Sequence, residues 1–216
     1  MTIKKLNTGA AILMIAALIF ASACGRSTEK AAQKTAAETE KPAAGNPESG
    51  EMMSQSQKSA GEQALRDAAL HGDAALVDDL IGKSTDVNSV LADGRTALML
   101  AAFNGNSDIV RALLKAGANV DQKDASGRTA LMYAATGPFP ETVKILLENG
   151  ADPNVADLEE RFTPLMFAAA EGHLEVVEVL LENNANRFLR DKDGDTAERF
   201  ARQNGHIEVA NRLAQR

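Results

Sequence analysis

The sequence predicts an all-α solenoid of stacked helical hairpins, about five units long, and three observations carry that prediction. Thr96, Thr129, Thr163 and Thr196 recur 33, 34 and 33 residues apart, each opening the same pattern. A period in that range marks a repeat array rather than a single core. Each period then holds an alanine-rich run followed by an amphipathic run, such as Ile109, Val110, Leu113 and Leu114, spaced to bury one stripe of a helix. Finally, the chain has no tryptophan and only 4% aromatic residues, so its core must be aliphatic, which suits closely stacked short helices.

The matching stretches are TALMLAA, TALMYAA and TPLMFAA at the front of the units and LLKAGANVD, LLENGADPN and LLENNANRF at their close, with Gly172-His173 and Gly205-His206 between two helices. These stretches resemble ankyrin repeats, whose pattern opens T-P-L-H-x-A-A, passes through G-H and closes L-L-x-x-G-A-D-x-N. The resemblance implies an ankyrin-repeat solenoid of helix-turn-helix units joined by short β-turn fingers. It also implies a concave groove, formed by finger tips and first helices, that holds partner proteins.

Within a unit, Thr96 offers its hydroxyl as an N-cap, and in the third full unit Pro164 follows Thr163 at the first helical position, where a missing N–H costs nothing. The pairs Ala101-Ala102, Ala134-Ala135 and Ala168-Ala169 let the next unit approach. The second helix stops at Gly117, at Gly150, and at Asn184 in the third full unit, residues that tolerate a left-handed backbone. Units fall at about 62–92, 93–125, 126–159, 160–192 and 193–216. The first is expected as an N-terminal cap showing Arg66 and Asp67 on its end face, and the last as a C-terminal cap carrying Glu198, Arg199 and Arg202.

Three departures from the pattern stand out. Met99, Met132, Met166 and Arg199 replace the histidine of T-P-L-H, which removes a polar link to the neighbouring finger. Pro138 stands at a turn-glycine position and cannot take a positive φ, so Gly137 is expected to make the turn one residue early and push Phe139 outward. The finger from Asp157 to Phe162 is one residue longer than its counterpart from Asp124 to Arg128.

Upstream of the array, residues 1–23 read as an export signal: Lys4 and Lys5, then an apolar run from Ala10 to Ala23 too short to span a bilayer comfortably. The end, Ala21-Ser22-Ala23-Cys24, resembles the lipobox of bacterial lipoproteins, which implies cleavage before Cys24 and a lipid on its thiol. Cys24 is the chain's single cysteine. Gly25 is not the aspartate that retains such proteins at the inner membrane, so the resemblance points to the outer membrane, facing the periplasm. From Gly25 to Ala60 the chain is polar, carries Pro42 and Pro47, and is expected as a disordered tether. As a flexible coil it would reach roughly 30 Å.

Candidate partner contacts lie on or beside the fingers at Arg95, Arg128, Leu158, Glu159, Glu160 and Phe162, and near the inter-helix turns at Phe103, Asn104, Phe139 and Glu171. From Gly61 onward there are 16 basic and 25 acidic residues, a net of −9, which disfavours nucleic acid as a ligand and steers in a basic partner. His71, His173 and His206 are scattered over separate turns, and no phosphate loop, nucleophile motif or metal-ligand spacing occurs. No catalytic, cofactor or metal site is therefore predicted, and the remote hydrolase reading would need carboxylates meeting across the groove. The expectation is a monomeric, membrane-tethered module that binds another envelope protein, with an inhibitor or immunity protein as the alternative.

Overall fold

The computed structural model describes residues 47–215, with side chains from Lys58. The export signal, Cys24 and residues 25–46 of the tether lie outside the described residues. Among the described residues ten helices pair into five hairpins: α1 (Pro47–His71) with α2 (Ala74–Gly82), α3 (Ala97–Phe103) with α4 (Ser107–Lys115), α5 (Ala130–Ala135) with α6 (Pro140–Glu148), α7 (Pro164–Glu171) with α8 (Leu174–Glu182), and α9 (Ala197–Gln203) with α10 (Ile207–Ala214). No strand occurs among the described residues. The first helices α3, α5, α7 and α9 stack in one row, and the second helices α2, α4, α6, α8 and α10 stack in a parallel row behind them.

Small residues explain the inner row. Ala101, Ala102, Ala134, Ala135, Ala168 and Ala169 have no exposed surface, so backbones approach without side chains between them. Met99, Met132 and Met166 are buried beside them, filling the space where the family pattern has histidine. The outer helices bury one stripe each, for example Ile109, Val110 and Leu113, and leave the other in water. The four threonines all hold the extended N-cap backbone, but only Thr96 and Thr163 accept a helix N–H, from Met99 and Met166. The hydroxyl of Thr129 is buried without a partner.

Asn184 takes the left-handed conformation at φ 65°, matching Gly117 and Gly150 as expected. Side chains then clip each unit to the next. Asn88 accepts from Asn119 N (2.8 Å) and donates to Gly117 O (3.1 Å); Asn154 accepts from Asn186 N (2.7 Å) and donates to Asn184 O (3.2 Å). Asp121 accepts from Asp152 N between them, at 3.1 Å.

Three expectations are corrected. Helix α1 begins at Pro47, so residues 47–60 are helical rather than coil. Proline suits a first helical position, the run that follows is rich in helix formers, and elongating the existing α1 needs no new nucleus. Arg66 is not displayed on the end face: it is 6% exposed, with Nη1 donating to Ser89 Oγ (2.8 Å) and Nη2 to Gln63 Oε1 (3.2 Å). Finally, Gly137 does not take a positive φ, and Phe139 turns inward. A Cβ at Gly105 would lie 2.3 Å from the Phe139 ring, and one at Gly137 2.2 Å, so two bare glycine backbones form the seat of that ring.

Candidate functional site

Four fingers line one edge of the array, each closed by a backbone bond across its base: Leu91 N to Arg95 O (2.9 Å), Asp124 N to Arg128 O (3.0 Å), Asp157 N to Phe162 O (3.0 Å) and Asp191 N to Asp195 O (3.0 Å). An aspartate organises the loop from inside. Asp124 Oδ1 accepts from Ser126 N (2.9 Å) and Arg128 N (2.8 Å), and Asp157 Oδ1 accepts from Glu160 N and Phe162 N, both at 3.0 Å. Neighbouring fingers are also bonded to one another. Ala125 N donates to Asp93 O (2.9 Å), Leu158 N to Ser126 O (2.9 Å) and Lys192 N to Glu160 O (3.1 Å). Backbone bonds thus hold the fingers in one ribbon without the histidine link.

Behind fingers 2 and 3 lies a buried polar network. Arg128, 8% exposed, sets Nη2 3.3 Å from Glu159 Oε2 and Nε 3.6 Å from Asp157 Oδ2, with its guanidinium 5.7 Å from the centroid of the Phe167 ring. Tyr133 OH donates to Asp124 Oδ2 at 2.6 Å. Burial, and after it the Asp124 carboxylate, push that phenol well above its ordinary range. Aromatic edges close the floor: Phe103 on Tyr133 at 6.3 Å, and Phe162 on both Phe167 (5.6 Å) and Phe200 (5.0 Å).

A family model described as ankyrin repeats, three copies, matches residues 65–157 and again 139–216, which together cover well over half of the chain. The chain belongs to the ankyrin-repeat family. No curated protein matches it in sequence. Ankyrin repeats generally mediate protein–protein interaction, and the family is typically a non-enzymatic binding scaffold. Among the described residues, no group of three or more His, Cys, Asp or Glu is placed to hold a metal ion, and no helix is long and apolar enough to cross a membrane.

The ankyrin array divides the residues expected from sequence into two sets. Leu158, Glu159, Glu160 and Asn104 are exposed, and Phe103, Phe139, Arg95 and Glu171 are half-buried. Arg95 is tied to Asp93 at 2.6 Å, and Asn104 donates to Leu70 O of the preceding hairpin. Glu159 accepts from Ser126 Oγ at 2.9 Å, and Glu160 lies 3.9 Å from Lys192. Arg128 and Phe162 are the corrections. Phe162 is 4% exposed, and both side chains pack against the inner helices instead of offering surface to a partner.

Arg161 was missing from the expected set. Two residues before each unit's threonine stand Gly94 (φ 82°), Gly127 (φ 78°) and Gly194 (φ 83°), but in finger 3 the residue is Arg161, held at φ 62°. For an L-residue with a Cβ this conformation costs on the order of 1 kcal/mol. The signal was readable, since Arg161 precedes Thr163 by the same two positions.

Proposed function

We propose that this chain is a membrane-tethered protein-binding module of the bacterial cell envelope, exported by its first 23 residues, anchored by lipid on Cys24 and monomeric. The observation that carries the binding part is the ribbon of four hydrogen-bonded fingers along an ankyrin array, which forms an extended edge. Support for the anchor comes from the residues alone: a basic start, an apolar run and one cysteine preceded by small residues. The favoured location is the outer membrane facing the periplasm, because Gly25 follows the cysteine. A partner held there would be another envelope protein.

Two measurements test the reading. Cells fed a labelled fatty acid should mark the wild-type chain and not Cys24→Ser; an unlabelled wild type removes the anchor. Crosslinking in the intact envelope should join the fingers to one resident protein. If the attached protein is instead a cognate toxin or an envelope enzyme that loses activity, the inhibitor reading holds, which the excess of 25 acidic over 16 basic residues from Gly61 onward favours for a basic active site.

A further inference from the structure

Finger 3 departs from its three sisters in three ways. It has an additional residue, it carries Arg161 where the others carry glycine, and it sets Leu158 at a tip position filled elsewhere by Ala92, Ala125 and Lys192. Leu158 is 71% exposed, with its side chain laid over Gly127 of finger 2 and its far face in water. Arg161 is exposed and makes no hydrogen bond or ion pair to any described residue. Glycine at position 161 would relieve the left-handed backbone, and the arginine side chain supplies no hydrogen bond or ion pair to a described residue in return. A local rule broken without internal compensation marks a place where binding is the compensation.

The charges around the tip identify the complement. Glu159 is held by Ser126 and Arg128, and Glu160 sits beside Lys192, so the uncommitted charge of this tip is the Arg161 guanidinium. Although acidic residues outnumber basic ones from Gly61 onward, none of the described ones pairs with it. We infer that finger 3 is the recognition tip of the array, with Leu158 packing on an apolar side chain of a protein partner and Arg161 pairing with a carboxylate beside it. A planar fork of donors suits a carboxylate better than any other protein group. The long-range field still favours a partner that is basic overall, while the local contact selects an acidic residue next to an apolar one.

This inference rests on the protein-binding reading, and one experiment separates the two. The full-length chain is panned against displayed random peptides, and the enriched sequences are titrated against wild type, Leu158→Ala and Arg161→Gly. The expected result is peptides with an apolar residue next to Asp or Glu, each losing at least about tenfold in affinity for either variant. The Tm of Arg161→Gly should be unchanged or raised by about 2 °C, because the strain is gone. Enriched peptides that bind both variants as they bind wild type overturn the role of finger 3 and leave the protein-binding reading standing. Peptides that need finger 3 but carry Lys or Arg in place of a carboxylate overturn the partner assignment. No enrichment over a blank surface overturns both.

Discussion

Arg128 Nε lies 3.6 Å from Asp157 Oδ2 across the seam between fingers 2 and 3, and neither atom has a hydrogen-bond partner. The two side chains are 10% and 1% exposed; Arg128 also meets Glu159, whereas Arg128 is, among the described residues, the one countercharge beside Asp157, whose other oxygen accepts two backbone N–H groups. Breaking a buried pair from one side leaves the remaining ion stranded, which costs about 3 kcal/mol. Arg128→Leu should lose about that much in urea unfolding. Adding Asp157→Asn keeps an acceptor for the N–H groups of Glu160 and Phe162 while removing the stranded charge, so the double variant should recover most of the loss. A double variant no more stable than Arg128→Leu alone would show that the lost packing on Phe167, and not the stranded carboxylate, set the cost.

Tyr133 is the chain's one tyrosine, so its ionisation can be read without interference. Its folded value is raised above the ordinary 10.0, by burial first and by Asp124 second. The unfolded chain therefore releases that proton at lower pH than the folded one. The stabilisation is complete below pH 10.0 and is lost as pH rises above it toward the raised folded value. Tyrosinate absorbance should appear together with loss of helical circular dichroism, and Tyr133→Phe should flatten the alkaline fall in stability. Absorbance rising well before the helices melt would mean the phenol is in contact with water.

The array itself was legible because its causes are local. A threonine in an extended turn, an alanine pair and an aliphatic stripe are all read within one period, so unit number and phase follow from Thr96, Thr129, Thr163 and Thr196. What escaped reading depends on neighbouring units. Phe139 turns inward only because Gly105, a unit earlier, leaves its backbone bare, and Phe162 is buried because Phe200, a unit later, lies against it. The helical start at Pro47 escaped because polar helix formers gain helicity from a helix already nucleated next to them. Arg161 was visible as a missing glycine, but only backbone geometry shows that the arginine adopts the conformation glycine would have taken.

Asn154 gives a measure of how strongly units are coupled. Its side chain supplies two bonds to the following unit, at Asn186 N and Asn184 O. Asn154→Ala should cost about 1–2 kcal/mol, since it removes two partly exposed hydrogen bonds. In a one-dimensional array the loss falls on a single interface, here between α5–α6 and α7–α8, so α7 to α10 should exchange amide hydrogen faster while α3 to α6 keep their protection. Uniform acceleration across every helix would show that the array melts as one cooperative body.

Leu158 and Phe162 stand four residues apart on one finger and should respond oppositely to truncation. Phe162 meets Phe167 and Phe200 edge-on and is 4% exposed, so Phe162→Ala opens a cavity at the base of the finger and should cost about 3–5 kcal/mol. Leu158 is 71% exposed, so Leu158→Ala should change stability by less than about 0.5 kcal/mol. Thermal unfolding of the two variants side by side checks both expectations. A large loss for Leu158→Ala would mean that its seat on Gly127 holds fingers 2 and 3 together, in which case the leucine serves the array's own packing and is not free to serve a partner.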